Sequence, residues 1–305
     1  MRVFVTGGAG FIGRHCVRSF LEKNYQVTIF DNLSNSSENL ISDLLDKGAR
    51  LVKGDITIED DVSKAISGHD VVIHLSAKNS VEESIKFPKK TFSTNVDGTE
   101  NILNACVKLN IKSVIAASSA AIYGETQNLP ISENQKTNPS SPYGESKLKM
   151  EQLIQNFSKK HCLNSIILRI FNTYGEGQSN EYAGVITKFL NKISKNESLE
   201  IFGDGLQTRD FVSVKDVVYS IHLAISNIDG KRGCVYNIGS GISFSIKDLA
   251  KYMISVSGKN LGILYLTPKK GEVRFSQADI SLAKKVLNYN PQTRFEDGIR
   301  NLMMS

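Results

Sequence analysis

The chain has 305 residues, 40% hydrophobic and 22% charged, which is enough for a substantial buried core and too apolar for long disorder. No stretch approaches the roughly 18 consecutive apolar residues of a membrane helix, so no membrane partner is expected. A net charge of +6, from 37 basic and 31 acidic residues, comes without any basic block interleaved with aromatics, so it reads as a solvated lysine-rich surface and no nucleic-acid partner is expected.

Along the chain, short apolar runs alternate with helical patterns. Val3–Thr6, Gln26–Phe30, Leu51–Lys53, Val71–Leu75 and Ser113–Ala117 are rich in valine and isoleucine and read as buried strands. Helical periodicity fills Phe11–Lys23 and Phe92–Leu109, and a helix over about Tyr143 to Lys160 leads to a sixth strand at Ser165–Arg169. This alternation predicts an α/β fold, a doubly wound parallel sheet of the Rossmann kind. Beyond residue 175, helices near 184–195, 214–226 and 246–256 are separated by glycine-containing loops and short strands. No polar linker marks a boundary, so this part is expected to pack onto the sheet as a smaller α/β lobe. The run Arg2–Thr6 passes directly into a glycine-rich turn and leaves no room for a secretory leader. Cys16, Cys106, Cys162 and Cys234 are far apart and read as free thiols of a reducing cytoplasm, and the five histidines show no metal-ligand spacing.

The first strand ends in Gly7-Gly8-Ala9-Gly10-Phe11-Ile12-Gly13. Glycines at 7, 10 and 13 suit a tight turn, close approach of a pyrophosphate and close helix–strand packing, with the next helix pointing its first N–H groups at the phosphates. Asp31 closes the second strand, where a carboxylate accepts hydrogen bonds from ribose hydroxyls and repels a 2′-phosphate. No arginine follows in 32–39, so NAD is expected rather than NADP. Tyr143 and Lys147 stand four apart on one helix face, with Ser141 as N-cap and Pro142 as the first helical residue. There the helix dipole, the lysine and a nicotinamide cation would all favour a phenolate able to act as a general base. Ser118 and Ser119 lie at the carboxyl end of the fifth strand, where a hydroxyl can steady a developing carbonyl.

Thr6–Gly13, Ser118–Gly124 and Tyr143–Lys147 together resemble the extended short-chain dehydrogenases/reductases, and among them the UDP-glucose 4-epimerase family. Further similarity lies in Gly54–Ile56, Val72–Ala77, Thr94–Thr99, Leu168–Asn172, Arg209–Val212 and Gly271–Asp279. The resemblance implies an NAD-dependent isomerase acting on a UDP-sugar through a 4-keto intermediate, with Ser119, Tyr143 and Lys147 catalytic. It implies that NAD is held by Gly7, Gly10, Phe11, Ile12, Gly13, Asp31, Asn32, Asp55, Ile56, Leu75, Ala77, Asn95, Tyr143, Lys147 and Phe171. The substrate would be held by Ser119, Asn172, Val185, Phe202, Arg209, Lys269, Glu272 and Ser276. An NAD-binding domain over 1–174, a nucleotide-sugar lobe over 175–305 interleaved with it, and a homodimer joined through Phe92–Leu109 and Tyr143–Lys160 also follow from the resemblance.

Dehydrating relatives typically carry Asp-Glu where this chain has Ala120-Ala121, which favours simple epimerisation. Tyr174-Gly175 is followed by no arginine of the kind that meets a uronate carboxylate, so a neutral hexose is expected. By the same resemblance Ser276 stands where the family often has a size gate beside the sugar's C2 substituent, and its small side chain implies that N-acetylhexosamines are also accepted. Lys269, where the family often has arginine, and Lys78-Asn79 depart from the common pattern. A dehydratase, decarboxylase or reductase of the same family, and a non-catalytic NAD-binding regulator, remain as alternatives.

Overall fold

The computed structural model describes residues 1–178, 184–268 and 273–304. The first half is the anticipated alternation: β1 (Arg2–Thr6), α1 (Phe11–Glu22), β2 (Gln26–Asp31), α2 (Ser42–Asp46), β3 (Arg50–Lys53), α3 (Glu59–Ala65) and β4 (Val71–His74). After these come α4 (Val81–Lys86), α5 (Pro88–Phe92), α6 (Gly98–Lys108), β5 (Ser113–Ser119), α7 (Pro142–His161) and β6 (Asn164–Ile170). The six expected strands are all present, with ends moved by one or two residues.

The expected single helix over Phe92–Leu109 is interrupted. Between α5 and α6, Ser93–Asp97 form one wide turn in which the Gly98 N–H reaches back five residues to the Ser93 carbonyl. Two contacts fix this break: Asn95 is completely buried, and a Cβ on Gly98 would lie 2.7 Å from the Ile56 side chain.

The main sheet has seven parallel strands in the order β3-β2-β1-β4-β5-β6-β10, where β10 is Arg232–Ile238. Each central strand alternates its side chains between two apolar layers. Val3, Val5, Ile29 and Ile73 face the layer with Cys16 and Phe20 of α1, while Phe4, Phe30 and Val72 face the layer with Ile102 of α6 and Met150 of α7. Removing each such large side chain from water contributes roughly 1.5–3 kcal/mol. The strand order reverses between β1 and β4, and that reversal opens a crevice at the carboxyl ends of the strands.

The remaining elements are β7 (Asn172–Tyr174), α8 (Val185–Ser194), β8 (Leu199–Phe202), β9 (Thr208–Ser213) and α9 (Val214–Ser226) before β10. After it come β11 (Ser243–Ser245), α10 (Ile246–Ser257), β12 (Ile263–Leu266), α11 (Ser281–Leu287) and α12 (Phe295–Met304). A three-stranded sheet β11-β9-β7, the pair β12-β8 and helices α8, α10 and α12 share a third apolar cluster around Phe189, Leu249 and Ile299. Buried Asp210 ties this lobe together, its carboxylate accepting from the N–H groups of Ser240 (2.7 Å), Gly241 (3.0 Å) and Ala278 (3.0 Å). Among the described residues no helix is long and apolar enough to cross a membrane.

Candidate active site

The turn after β1 is built from backbone alone. Gly7 adopts φ +66°, and a Cβ there would lie 2.8 Å from the Ser76 nitrogen. A Cβ on Gly13 would lie 2.2 Å from the Gly7 carbonyl oxygen. Only glycine lets β1, β4 and α1 approach this closely. The N-cap of α1 is Gly10, which makes no side-chain cap, and the first turn carries no acidic residue. Its N–H groups are therefore left for an anion.

Beside the turn, the Asp31 carboxylate accepts from Ala9 N (3.1 Å) and Leu33 N (2.9 Å). Burial raises its pKa, and the two N–H bonds oppose that. Asn32 donates to Asp55 (2.8 Å), which also accepts from Thr57 N, so the ends of β2 and β3 form one polar rim. Ile56 is buried beside it and its carbonyl accepts from Asn101. A turn that any Cβ would obstruct, an uncapped helix start and a carboxylate rim fit the pyrophosphate and ribose of a dinucleotide.

The opposite wall comes from β5 and α7. Ser141 caps α7 as expected, its Oγ accepting from Gly144 N at 3.2 Å, and Pro142 takes the first helical position. This fixes Tyr143 in the first turn, over the end of β5. Ser119 Oγ accepts from Ala121 N (3.1 Å) and hydrogen-bonds the Tyr143 phenol. One turn on, the buried Lys147 ammonium donates to the Ala117 carbonyl (2.8 Å) and contacts Met150 Sδ (3.7 Å). Burial drives the lysine pKa down to about 8, against the pull of Glu151.

Burial also pushes the Tyr143 phenol up, with the Ser119 hydrogen bond opposing. The expectation that helix dipole and lysine favour phenolate is therefore not met by the protein alone. Lys147 spends its donors on Ala117 and Met150 rather than on the tyrosine.

Tyr143, Lys147 and Ser119 line a cavity of about 510 Å³ together with Phe11, Ile12, Leu75, Ala77, Phe171, Asn172, Val185, Phe202 and Arg209. Asn172 donates to the Asp210 carbonyl (3.2 Å) and Arg209 to that of Thr208 (2.8 Å). Phe202 also borders a second cavity of about 600 Å³, rimmed by Asp204 and Arg274, which form a two-point ion pair at 2.8 and 2.7 Å. Gly7, Gly10, Gly13, Asp31, Asn32, Asp55, Ile56 and Asn95 lie off the lining of both cavities. Ser276 is buried and also off their lining. Lys269 and Glu272 lie outside the described residues.

Three participants had not been singled out as site residues. Gln207 stands between the two cavities and donates to the Phe202 carbonyl (2.7 Å), while its buried Oε1 has no partner among the described residues. Its position two residues before Arg209 was the available signal. Glu151 and Arg169 form a buried ion pair (2.8 Å) behind Ser118, whose hydroxyl donates to Glu151 at 2.5 Å. One helical turn separates Glu151 from Lys147, a spacing visible in the sequence.

Comparison with known proteins agrees with this geometry. The model of the NAD-dependent epimerase/dehydratase family matches residues 3–239. A Methanocaldococcus jannaschii relative, named as a candidate UDP-glucose 4-epimerase, is 39% identical over 99% of this chain and 97% of its own length. The structure of Thermotoga maritima UDP-glucose 4-epimerase with UDP-glucose superposes with a TM-score of 0.94 at 34% identity, covering 100% of this chain and 98% of that one. Methanobrevibacter ruminantium UDP-N-acetylglucosamine 4-epimerase, in complex with UDP-N-acetylmuramic acid, also reaches 0.94 at 34% identity, covering 99% of this chain and 97% of the other. Likeness on that scale, running through the glycine turn and both walls of the cavity, places this chain in the NAD-dependent epimerase/dehydratase family.

Proposed function

We propose that the protein interconverts the C4 epimers of a UDP-hexose, UDP-glucose and UDP-galactose, and also accepts the N-acetylhexosamine forms. The observation that carries this reading is one cavity wall that joins Ser119, Tyr143 and Lys147 while Ala120 and Ala121 beside them offer no carboxyl group. Among the described residues lining the cavity, the one acidic side chain is Glu200, held by Lys192 at 2.7 Å. Elimination of water needs a further acid and base at that wall, beside the tyrosine; epimerisation needs only the tyrosine.

In this scheme Tyr143 takes the proton of the C4 hydroxyl and later returns it. Ser119 hydrogen-bonds the same oxygen as it becomes a carbonyl. Bound NAD supplies the reversible two-electron oxidant for C4. Lys147 places positive charge beneath the phenol and helps hold the dinucleotide. The 4-keto sugar then turns over within the cavity while its diphosphate stays on the far wall, where the Arg209 guanidinium suits paired phosphate oxygens. Asn172, Val185, Phe202, Lys269, Glu272 and Ser276 complete the substrate side in this assignment, with residues 1–174 serving NAD and 175–305 the nucleotide sugar.

A homodimer through α6 and α7 is part of the proposal, supported by the exposed apolar Val81 and Ile85 on neighbouring α4 and Phe87 just after it. Four free cysteines suit a reducing compartment such as the cytoplasm.

Purified protein given UDP-galactose and no added cofactor is expected to form UDP-glucose, with Tyr143→Phe lowering turnover by roughly 10²–10⁴. UDP-N-acetylglucosamine in a parallel reaction decides the wider substrate range. A product lacking its C6 hydroxyl, or steady use of external cofactor, would replace this reading by dehydratase or reductase. Binding without turnover would make the protein a regulator.

A further inference from the structure

A chain of buried hydrogen bonds joins the glycine turn to the catalytic helix, and His74 is its middle link. His74 closes β4 and is almost wholly buried. Its Nδ1 lies 2.8 Å from Thr6 Oγ1 and its Nε2 lies 2.9 Å from Thr99 Oγ1.

Every proton in this chain can be assigned by elimination. The Thr99 hydroxyl donates its single hydrogen to the Asn95 carbonyl at 2.7 Å. Toward His74 it can only accept, so Nε2 carries a hydrogen. Burial, with Lys147 adding to it, drives the imidazole pKa down to about 3, so the ring is neutral and Nδ1 is bare. Nδ1 therefore accepts from the Thr6 hydroxyl, whose oxygen in turn accepts from Leu75 N and Ser76 N, both at 3.2 Å.

Each end of the chain is attached to the site. At one end, Thr6 shapes the exit of β4 against the turn where Gly7 has no room for a Cβ. That exit supplies Leu75, Ala77 and Asn79 to the cavity wall. At the other end, the Asn95 side chain clasps Lys78, accepting from its N–H (2.8 Å) and donating to its carbonyl (2.9 Å). Asn95 also donates to Ser146 Oγ (2.9 Å), and Ser146 donates to the Tyr143 carbonyl (2.7 Å). Asn95 itself lies within the wide turn Ser93–Asp97.

We propose that His74, fixed as its neutral Nε2–H tautomer, is a positioning residue that sets the spacing between the dinucleotide turn and the first turn of the tyrosine-bearing helix. It touches no reacting atom in this assignment, which rests on the dinucleotide reading of the glycine turn.

Two experiments test it. Nitrogen-15 NMR of histidine-labelled wild-type protein reads the tautomer directly and needs no cofactor. A protonated Nε2 and bare Nδ1, unchanged from pH 5 to 8, are expected; a protonated Nδ1, or titration in that range, overturns the proposal. The second compares Thr99→Val, which keeps the shape and removes the hydroxyl, with Thr99→Ser, which keeps the hydroxyl. Thr99→Val is expected to speed NAD release about tenfold, the scale of one lost buried hydrogen bond. It should also lower kcat with little change in KM for the sugar nucleotide and accelerate amide exchange at Gly144–Lys147, with Thr99→Ser restoring all three. Wild-type NAD release and amide exchange in Thr99→Val would overturn the positioning role. If no form binds NAD, the functional reading falls, while the tautomer and the amide exchange still decide whether the chain of hydrogen bonds is as assigned.

Discussion

At the scale of single residues, the site is governed by what burial does to charge. The Lys147 ammonium has lost most of its water and its pKa falls from 10.5 to about 8. Between those values the folded protein binds fewer protons at this position than the unfolded chain, so stability rises with pH across that window and the penalty is full below it. The displacement corresponds to roughly 3 kcal/mol at most. Urea titrations of cofactor-free protein are expected to show a gain in stability between pH 8 and 10.5 that Lys147→Met lacks. An identical pH profile in the variant would place the buried charge elsewhere. Tyr143 moves in the opposite sense, upward, so the proposed role as a base would call on a cation supplied with a bound dinucleotide. The residue types and the four-residue spacing were legible in the sequence. The direction of the tyrosine shift was not, because it comes from burial of the phenol, which depends on packing between parts of the chain far apart in sequence.

At the scale of elements, α7 is placed by one close approach. A Cβ on Gly144 would lie 2.6 Å from the Ala121 carbonyl oxygen, closer than side-chain carbons come to backbone. Gly144→Ala adds about 1 kcal/mol of helix propensity but forces the first turn off the end of β5, an overpacking that typically costs 1–3 kcal/mol. Overpacking wins, and the expected result is a lower melting temperature together with a loss of kcat, since Tyr143 moves with the turn. A variant of unchanged melting temperature and unchanged kcat would show that α7 has slack. The central strands of the first half were legible because both faces of each are covered, leaving almost wholly apolar runs such as Val3–Val5 and Val71–Ile73. Arg232–Ile238 escaped because its inward positions include Tyr236 and Asn237. Asn237 is buried only because it donates to the Ile131 carbonyl (2.8 Å) and accepts from Tyr123 (2.7 Å), partners more than 100 residues distant. The break at Ser93–Asp97 was hidden for a like reason: periodicity continues through it, and the contact of Ile56 with Gly98 is long-range.

At the scale of the whole molecule, the two halves of the chain are not separable bodies. Val217, Ile221, Tyr236 and Ile238 belong to the same apolar cluster as Val3 and Cys16. A chain ending at residue 174 would leave β6 unpaired on one edge and strip the covering of α9 from α1. Such a fragment is expected to show no cooperative unfolding transition, whereas the full chain shows a single one; cooperative unfolding of the fragment would demonstrate an autonomous first half. The order of the main sheet adds a mechanical consequence. Strands β6 and β10 are neighbours, so the excursion from Asn172 to Lys231, which carries Arg209, is a stirrup hung from two adjacent straps. That part is tied at both of its ends to the main sheet. A ketone formed over the dinucleotide would thus be kept in place by a support fastened at both feet, long enough to take up its opposite configuration.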